Sequence, residues 1–278
     1  MFDTKHPEVL RALRHALEED IGGGDVTTRS TIAESARARG RYFVKEGLTL
    51  AGVELLAPLY EMRGGVEELT LHHASGERLE TGACAASVVG KAWTLLECER
   101  TALNFLQRLS GVATLARLYS DAVKHTRCKV LDTRKTTPGL RHLEKMAVAA
   151  GGATNHRMGL FDAILIKNNH ISAAGSVSEA LRRAHGTGLA VEIEVRTKAE
   201  LEEALAGGAK RLLLDNLSPA EAAEWIRHIG GRASVELSGG ITMETVAAYA
   251  ETGADFVSCG AMTHSARAMD LNFRVELL

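Results

Sequence analysis

The spacing of apolar residues changes along the chain and separates two regions. Near the N-terminus, apolar residues recur at helical spacing and predict a helix over residues 7–20, which ends at the glycines of IGGGDVTT. Residues 39–91 contain short strand-like segments with glycines at their turns, and TLLECERTALNFLQRLSG then carries a long apolar stripe. We therefore predict a sheet with helices packed on it, an α/β sandwich, in the first region.

The second region begins near Lys129 and repeats one kind of unit. Its six short apolar runs are KVLDTR, DAILIK, AVEIEV, RLLLDN, SVELSGG and DFVSCGAM. Helical patterns such as KAELEEALAGG and PAEAAEWIRHIG lie between several of these runs. Near-continuous apolar strands that alternate with helices predict a parallel sheet. Six strands fit a TIM-like parallel β/α barrel that is incomplete or open, and a doubly wound open sheet is the competing architecture.

This change of pattern predicts two domains. The N-terminal α/β sandwich domain is expected over residues 1–108, and the β/α barrel catalytic domain over residues 109–278. The C-terminal tail, residues 270–278, is a candidate for packing back on the first domain.

Polar residues follow or end each apolar run of the second region. They are Asp132 and Arg134, Lys167, Glu192 and Glu194, Asp215, Glu236 and Ser238, and Cys259 and Gly260. Any one of them alone is adequately explained as a solvated strand end. In a β/α barrel, however, the carboxyl ends of the strands share one mouth, where active sites lie. The set as a whole therefore predicts one site built from distant parts of the chain.

Two glycine-containing segments near the predicted mouth suggest a phosphate site. SGG at residues 238–240 and CGAMTH at residues 259–264 each precede a helical pattern. Glycine permits close approach of the backbone, and in barrels the phosphate site commonly follows the last strands. An ordinary tight turn is the alternative explanation of SGG.

Composition and charge restrict the class of partner. The chain of 278 residues is 45% hydrophobic and 24% charged, with a net charge of -2 and only 4% aromatic residues. A near-neutral chain with few aromatic residues argues against a nucleic-acid partner. No apolar run approaches the length of a membrane span, and the N-terminus lacks the pattern of a signal peptide. Four widely spaced cysteines without a C-x-x-C pair indicate reduced thiols, so we expect a cytoplasmic protein.

Cations are nevertheless concentrated between Leu131 and Ile171. They are Arg134, Lys135, Arg141, Lys145, Arg157 and Lys167, with His142, His156 and His170 as further candidates. Only Glu144 and Asp162 oppose them after Asp132. A local concentration of cations in a near-neutral chain predicts a small anionic ligand.

Several motifs, in their order and spacing, resemble the quinolinate phosphoribosyltransferase family. These motifs are DTRKTTPGLR, GGATNHRMGLFDAILIKNNHI, VEIEV, LLLDN, ELSGGI and CGAMTH, with EDIGGGDVTT and ECERTALNFLQRLSGVAT nearer the N-terminus. One departure is Asn168 in KNNHI, where family members often carry an acidic residue. The resemblance covers nearly the whole chain.

The resemblance implies a reaction and its requirements. Quinolinate and phosphoribosyl pyrophosphate (PRPP) would give nicotinate mononucleotide, pyrophosphate and carbon dioxide, with Mg²⁺ but no organic cofactor. It also implies a homodimer, with a higher oligomer left open, in which Arg100 reaches the quinolinate pocket of the neighbouring subunit. From the residues alone, Arg100 would be an ordinary charge on a helix surface.

The same resemblance assigns roles to the remaining site residues. Arg134, His156, Arg157 and Lys167 would line the quinolinate pocket. Lys135, Glu194 and Asp215 would be catalytic and would face PRPP, with Mg²⁺ near the two carboxylates. Ser238, Gly239 and Gly260 would hold the 5′-phosphate.

Three alternatives remain at this stage. A paralogous phosphoribosyltransferase would act on a different ring acid. A class I aldolase would use Lys167 as a Schiff-base lysine. A non-enzymatic anion-binding protein would need the cations but not Glu194 and Asp215 among them.

Overall fold

The computed structural model describes residues 3–278. In chain order, the helices are α1 Pro7–Ile21, α2 Val26–Thr31, α3 Leu56–Glu61, α4 Ala92–Val123, α5 Arg141–Ala150, α6 Asn168–Ala174, α7 Val177–His185, α8 Lys198–Ala206, α9 Pro219–Ile229, α10 Val246–Ala250 and α11 Ala261–His264. The strands are β1 Arg37–Val44, β2 Leu48–Thr49, β3 Glu68–Leu71, β4 Arg78–Leu79, β5 Cys84–Lys91, β6 Lys129–Leu131, β7 Ile164–Ile166, β8 Val191–Val195, β9 Arg211–Asp215, β10 Ser234–Ser238, β11 Phe256–Ser258 and β12 Leu271–Leu277. A 3-10 turn covers Val53–Leu55.

The described chain falls into two compact units that interleave in sequence. The first contains the chain up to Arg117, together with Thr136–Gly152 and Met262–Leu278. The second contains Leu118–Lys135 and Ala153–Ala261. The two domains predicted from the sequence are continuous segments that meet at residue 108. That these segments fold independently stays a prediction.

The first unit is built on an antiparallel sheet with the strand order β12-β1-β5-β3. Alternate residues of β1 are buried, which is the pattern expected when one face of a sheet is packed. The C-terminal strand β12 pairs with β1 along its whole length, from Leu277 opposite Ala38 to Leu271 opposite Val44. The last residues of the chain therefore belong to the first sheet.

A glycine fixes the fit between β1 and β12. A Cβ atom at Gly40 would lie 2.0 Å from the Phe273 ring, a distance that no side chain tolerates. The Phe273 ring also packs against Tyr42, with 4.6 Å between ring centroids. Gly40 thus provides the space in which the aromatic side chain of β12 is buried.

The second unit contains a parallel sheet, and within residues 129–258 its six strands have the order β6-β11-β10-β9-β8-β7. This order is that of a barrel interrupted between β6 and β7. At the interruption, Thr154 makes a single parallel bridge to Leu131. The predicted α/β class and the six predicted strands are confirmed, and the sheet corresponds to a TIM-like barrel that is not closed.

Helix α5 was not predicted from the sequence. It lies within the cation-rich stretch and buries Leu143, Ala147 and Val148 at helical spacing. Glu144 and Lys145 are fully buried on the same helix, so its buried face is not apolar throughout. None of the helices within residues 3–278 is both long and apolar enough to cross a membrane.

Candidate active site

The carboxyl ends of the parallel strands place four of the expected site residues along one edge of the sheet. Asp215 ends β9 and lies opposite Ser238, which ends β10. Glu194 pairs with Leu213, two residues before Asp215, so the two acidic side chains share a face of neighbouring strands. Lys167 directly follows β7. This is the edge at which β/α barrels carry their active sites.

Glu194 is a buried carboxylate held by two cations. Its side chain is 3% exposed. Lys167 Nζ donates a hydrogen bond to its Oε2 at 3.2 Å, and Arg196 Nε donates to its Oε1 at 3.0 Å. An uncompensated buried carboxylate would be strongly destabilising, and these two partners offset that cost.

Asp215 is oriented by an unusual backbone at the strand end. Asn216 Nδ2 donates to Asp215 Oδ2 at 2.7 Å. Asn216 has φ 59°, and among the non-glycine residues of the described chain it alone adopts a positive φ. Such strained residues persist where the surroundings hold them and are concentrated at functional sites.

The next strand end explains how the strain at Asn216 is held. The Asn216 amide donates to Ser238 O at 2.9 Å. Gly239, at φ +100°, leaves no room for a side chain, because a Cβ atom there would lie 2.2 Å from Asn216 Oδ1. Asp215, Asn216, Ser238 and Gly239 therefore form one fitted unit, and Gly260 follows β11 on the next strand of the sheet.

The expected quinolinate residues Arg134 and Arg157 lie on loops of the second unit. Burial, and then the positive charge of Arg134, lower the pKa of Arg157. Arg157 Nη1 donates to Ala163 O at 3.1 Å. The Asp162 carboxylate accepts hydrogen bonds from the amides of Met158 and Gly159, which orders the loop after Arg157. Two neighbouring guanidinium groups favour an anion between or beside them.

Lys135 and Arg100 are both exposed. The Lys135 amide donates to Thr133 Oγ1 at 3.1 Å, in the loop after β6. Arg100 lies on α4, in the part of that helix that belongs to the first unit. The structure thus gathers the expected site residues in the second unit, with the exception of Arg100.

His156 faces the interior of the sheet. Its side chain is 12% exposed, and Nε2 lies 3.1 Å from Glu192 Oε2 and 3.4 Å from Glu236 Oε2. Arg211 Nε donates to Glu192 at 2.8 Å and its Nη2 to Glu236 at 2.5 Å, while Ser258 Oγ donates to the other oxygen of Glu236. We call Glu192, Arg211, Glu236 and Ser258 the interior network.

The interior network shifts several pKa values. Burial alone would lower the pKa of His156, but Glu192 and Glu236 outweigh it and raise this pKa to about 9. On the other side of the ring, His156 Nδ1 lies 2.6 Å from the Arg157 amide nitrogen. Burial raises the pKa of Glu192. For Glu236 burial acts in the same direction, but its hydrogen bonds from His156, Ser258 and Arg211 lower the pKa to about 2.

A cavity of about 510 Å³ adjoins His156 and Arg157. Its lining includes Arg211, Lys210 and Glu192, which stand at or next to the amino-terminal ends of β8 and β9. The cavity beside His156 and Arg157 therefore reaches the amino-terminal ends of these strands, whereas Asp215 and Ser238 stand at the carboxyl ends.

The His156, Glu192 and Glu236 side chains also form the one group of potential metal ligands found in the described chain, with ligand atoms within 4.8 Å of one another. Arg211 donates to both carboxylates, and its positive charge and that of a protonated His156 balance the two acids. A metal ion would have to displace these partners. The cluster is better explained as a compensated ion network.

Both halves of the chain match one family. Residues 25–110 match the quinolinate phosphoribosyl transferase N-terminal domain, and residues 112–274 match the C-terminal domain. The chain belongs to the quinolinate phosphoribosyltransferase family. The family resemblance inferred from the sequence motifs is thus confirmed.

Individual relatives match over nearly their full length. The probable nicotinate-nucleotide pyrophosphorylase [carboxylating] of Bacillus subtilis (strain 168) is 38% identical over 275 residues, covering 98% of this chain and 95% of the relative. The nicotinate-nucleotide pyrophosphorylase [carboxylating] of Mycobacterium leprae (strain TN) is 39% identical, with 98% of each chain covered. The crystal structure of NadC from Streptococcus pyogenes superposes with a TM-score of 0.93 at 38% identity and covers 100% of both chains.

Three features of the site escaped the sequence analysis. Arg196 directly follows the VEIEV run, and the expected roles did not include it. Asn216 stands in LLLDN, where an asparagine after a strand signals a possible left-handed residue. Arg211 begins its strand, away from the expected mouth, so nothing in the sequence pattern connected it with Glu192 and Glu236.

Proposed function

We propose that this protein transfers the phosphoribosyl group of PRPP to quinolinate, with loss of carbon dioxide, to form nicotinate mononucleotide in NAD biosynthesis. Membership of the quinolinate phosphoribosyltransferase family over both parts of the chain carries this proposal. The charges at the site support it. Quinolinate has two adjacent carboxylates and PRPP has a phosphate and a pyrophosphate, so the substrates need the cations of Arg134, Lys135, Arg157 and Lys167.

The carboxylates have the opposite task. Attack of the pyridine nitrogen on the anomeric carbon breaks the bond to pyrophosphate and builds positive charge on the ribose. Glu194 and Asp215, on one face of neighbouring strands, are suited to stabilise that charge. The bond between the ring and its adjacent carboxylate then breaks, carbon dioxide leaves, and the electron pair stays on the ring carbon beside the quaternised nitrogen. A proton finally binds this carbon.

The strand-end glycines suit the 5′-phosphate. Gly239 and Gly260 carry no side chain, and the positive φ of Gly239 turns the backbone sharply after β10. Without a side chain in the way, a phosphate can approach the backbone closely at these positions, with Ser238 as a hydroxyl donor.

The donor set at the carboxyl edge fits Mg²⁺ that arrives with PRPP. Mg²⁺ is usually held by one or two carboxylates together with substrate phosphates. Asp215 is half-buried and shares a face of neighbouring strands with Glu194, so such an ion would lie near these two carboxylates. The bound ion would offset the charge of the departing pyrophosphate. No organic cofactor is required by this chemistry.

The aldolase alternative is disfavoured by the surroundings of Lys167. A Schiff-base lysine needs a neutral amine, which neighbouring cations or an apolar pocket promote. Lys167 Nζ instead donates a hydrogen bond to the Glu194 carboxylate at 3.2 Å, so its partner is an acidic group and not a second cation or an apolar pocket. The carboxylates of Glu194 and Asp215 also disfavour a protein that only binds anions.

The deciding experiment is an assay of the purified protein with quinolinate, PRPP and Mg²⁺, in which the release of nicotinate mononucleotide is measured. Nicotinate in place of quinolinate is the paired control. We expect product from quinolinate alone. Turnover of nicotinate without turnover of quinolinate would favour the paralogous phosphoribosyltransferase.

We also propose a cytoplasmic homodimer in which Arg100 of one subunit serves the site of the other. Arg100→Ala and Glu194→Ala chains should each be inactive alone. After subunit exchange, each mixed dimer should contain one intact site, so activity should return in part. Native mass spectrometry would establish the exchange, and exchanged but inactive dimers would rule out shared sites.

Asp215 is expected to act on the transition state. Asp215→Asn keeps the shape but removes the charge, so kcat should fall by at least about 100-fold while quinolinate binding changes little. Melting temperature and single-turnover rate should be measured on the same preparation. A normal rate with a lowered melting temperature would make Asp215 a purely structural residue.

A further inference from the structure

The interior of the sheet contains charged residues where β/α barrels usually carry branched apolar side chains. Glu192 and Glu236 are 4% and 1% exposed, and both retain charged partners. Such groups cost several kcal/mol of desolvation each, so an apolar replacement of the same volume would commonly be no less stable. Stability alone therefore gives little reason for the interior network.

The network is linked to the expected substrate pocket through one side chain. His156 Nε2 faces Glu192 and Glu236, and its Nδ1 lies 2.6 Å from the amide nitrogen of Arg157. The His156 amide itself donates to Asp132 Oδ1 at 2.7 Å. The imidazole is thus held on one side by the network and on the other holds the main chain from which the Arg157 side chain extends.

Two further partners hold the glutamates of the network in place. Arg211 bridges the two glutamates, and its guanidinium also lies over the Phe256 ring at 4.5 Å from the centroid. Ser258 occupies the remaining oxygen of Glu236. With these bonds in place, each glutamate presents an oxygen to the same imidazole nitrogen.

We propose that the interior network is a positioning element for substrate binding, which fixes the His156 ring and thereby the main chain and direction of Arg157. Binding a planar dicarboxylate through a guanidinium fork depends on direction as well as charge. Displacement of a binding group by about 1 Å can cost up to about 100-fold in rate. This inference rests on the proposed function, because it takes quinolinate as the anion that Arg157 binds.

The test is a double-mutant cycle between the network and His156. Glu236→Gln should raise KM for quinolinate about tenfold and change KM for PRPP by less than about twofold, because only the direction of Arg157 is disturbed. In a His156→Ala background the same substitution should have no further effect on KM for quinolinate. An unchanged KM in Glu236→Gln, or the same tenfold effect in both backgrounds, would overturn the proposal.

Two further variants keep the test independent of folding. Ser258→Ala removes one hydrogen bond to Glu236 and should give a smaller rise of KM for quinolinate in the same direction. Glu54→Gln is the matched control, since the Glu54 carboxylate accepts two hydrogen bonds from Ser75 in the first unit. It should change the melting temperature without changing KM for quinolinate.

A readout without turnover separates this proposal from the proposed function. The ring nitrogen resonances of His156 in the ¹⁵N NMR spectrum report the hydrogen bond at each nitrogen. Glu236→Gln should move both resonances. The Nε2 resonance should move because this nitrogen faces the network, and the Nδ1 resonance because the contact with the Arg157 amide loosens. Movement of the Nε2 resonance alone would show that the network does not act on Arg157, whether or not the wild-type protein converts quinolinate.

Discussion

At the residue scale, the strongest test of the proposed substrate concerns Arg157. Arg157→Ala should lower kcat/KM for quinolinate by roughly 30-fold to several thousand-fold, which corresponds to about 2–5 kcal/mol. Arg157→Lys keeps the charge but loses the planar fork, so it should remain badly impaired. Steady-state kinetics and calorimetry with quinolinate measure both effects. Unchanged quinolinate binding in Arg157→Ala would refute the assignment, and PRPP affinity serves as the internal control.

Individual residues also show how far the sequence can predict a site. Lys167 and Glu194 could be expected at the same edge, because each stands at the end of an apolar run and parallel strands share their carboxyl edge. The contacts of His156 with Glu192 and Glu236 could not be expected in this way. They depend on how a loop after Thr154 lies relative to strands that are far away in sequence.

At the scale of elements, the contact between the carboxyl ends of β9 and β10 should be sensitive to a single methyl group. Gly239→Ala would place a Cβ atom against Asn216 at a positive φ, so we expect a loss of about 1–3 kcal/mol in stability. KM for PRPP should rise by at least about tenfold, since Asp215 and Ser238 would move together. Thermal unfolding and kinetics on the same sample measure both.

Gly240→Ala is the matched control for that substitution. Gly240 also has a positive φ, but nothing lies within 4 Å of a Cβ atom there. The Gly240→Ala variant should therefore have the backbone strain without the steric clash. Its KM for PRPP should rise less than that of Gly239→Ala. Equal effects at the two positions would mean that the fit to Asn216 is unimportant.

The elements themselves were predictable where burial and hydrophobicity coincide. The six parallel strands appear in the sequence as apolar runs because both of their faces are covered. Helix α5 was missed for the opposite reason. Its buried face includes Glu144, which Arg108 neutralises, and Lys145, so charge conceals the helical period.

At the scale of the whole molecule, the interior network predicts how stability depends on pH. The pKa of His156 is raised to about 9 in the folded protein, against 6.5 for an ordinary histidine. The folded state therefore binds a proton more tightly, and this contribution is complete below pH 6.5 and is lost as the pH rises through 9. Its upper limit is about 3 kcal/mol, at 1.36 kcal/mol for each pKa unit.

Urea unfolding between pH 6 and pH 9.5 measures this dependence. The free energy of unfolding should fall across the interval in the wild-type protein, and the fall should be smaller in Glu236→Gln, which removes one of the two carboxylates facing the ring. A free energy that is flat across the interval, or an equal fall in both proteins, would show that His156 is not the titrating group.

The pairing of β12 with β1 has a consequence for how the protein is made. β1 leaves the ribosome early, but its second partner, Leu271–Leu277, is the last strand of this sequence to be translated. Contacts between such distant segments form slowly, because a long loop must close first. Until translation reaches that strand, β1 presents an unpaired edge beside Tyr42, and exposed edges of this kind promote aggregation. The nascent chain should therefore depend on chaperones until Leu271–Leu277 has emerged.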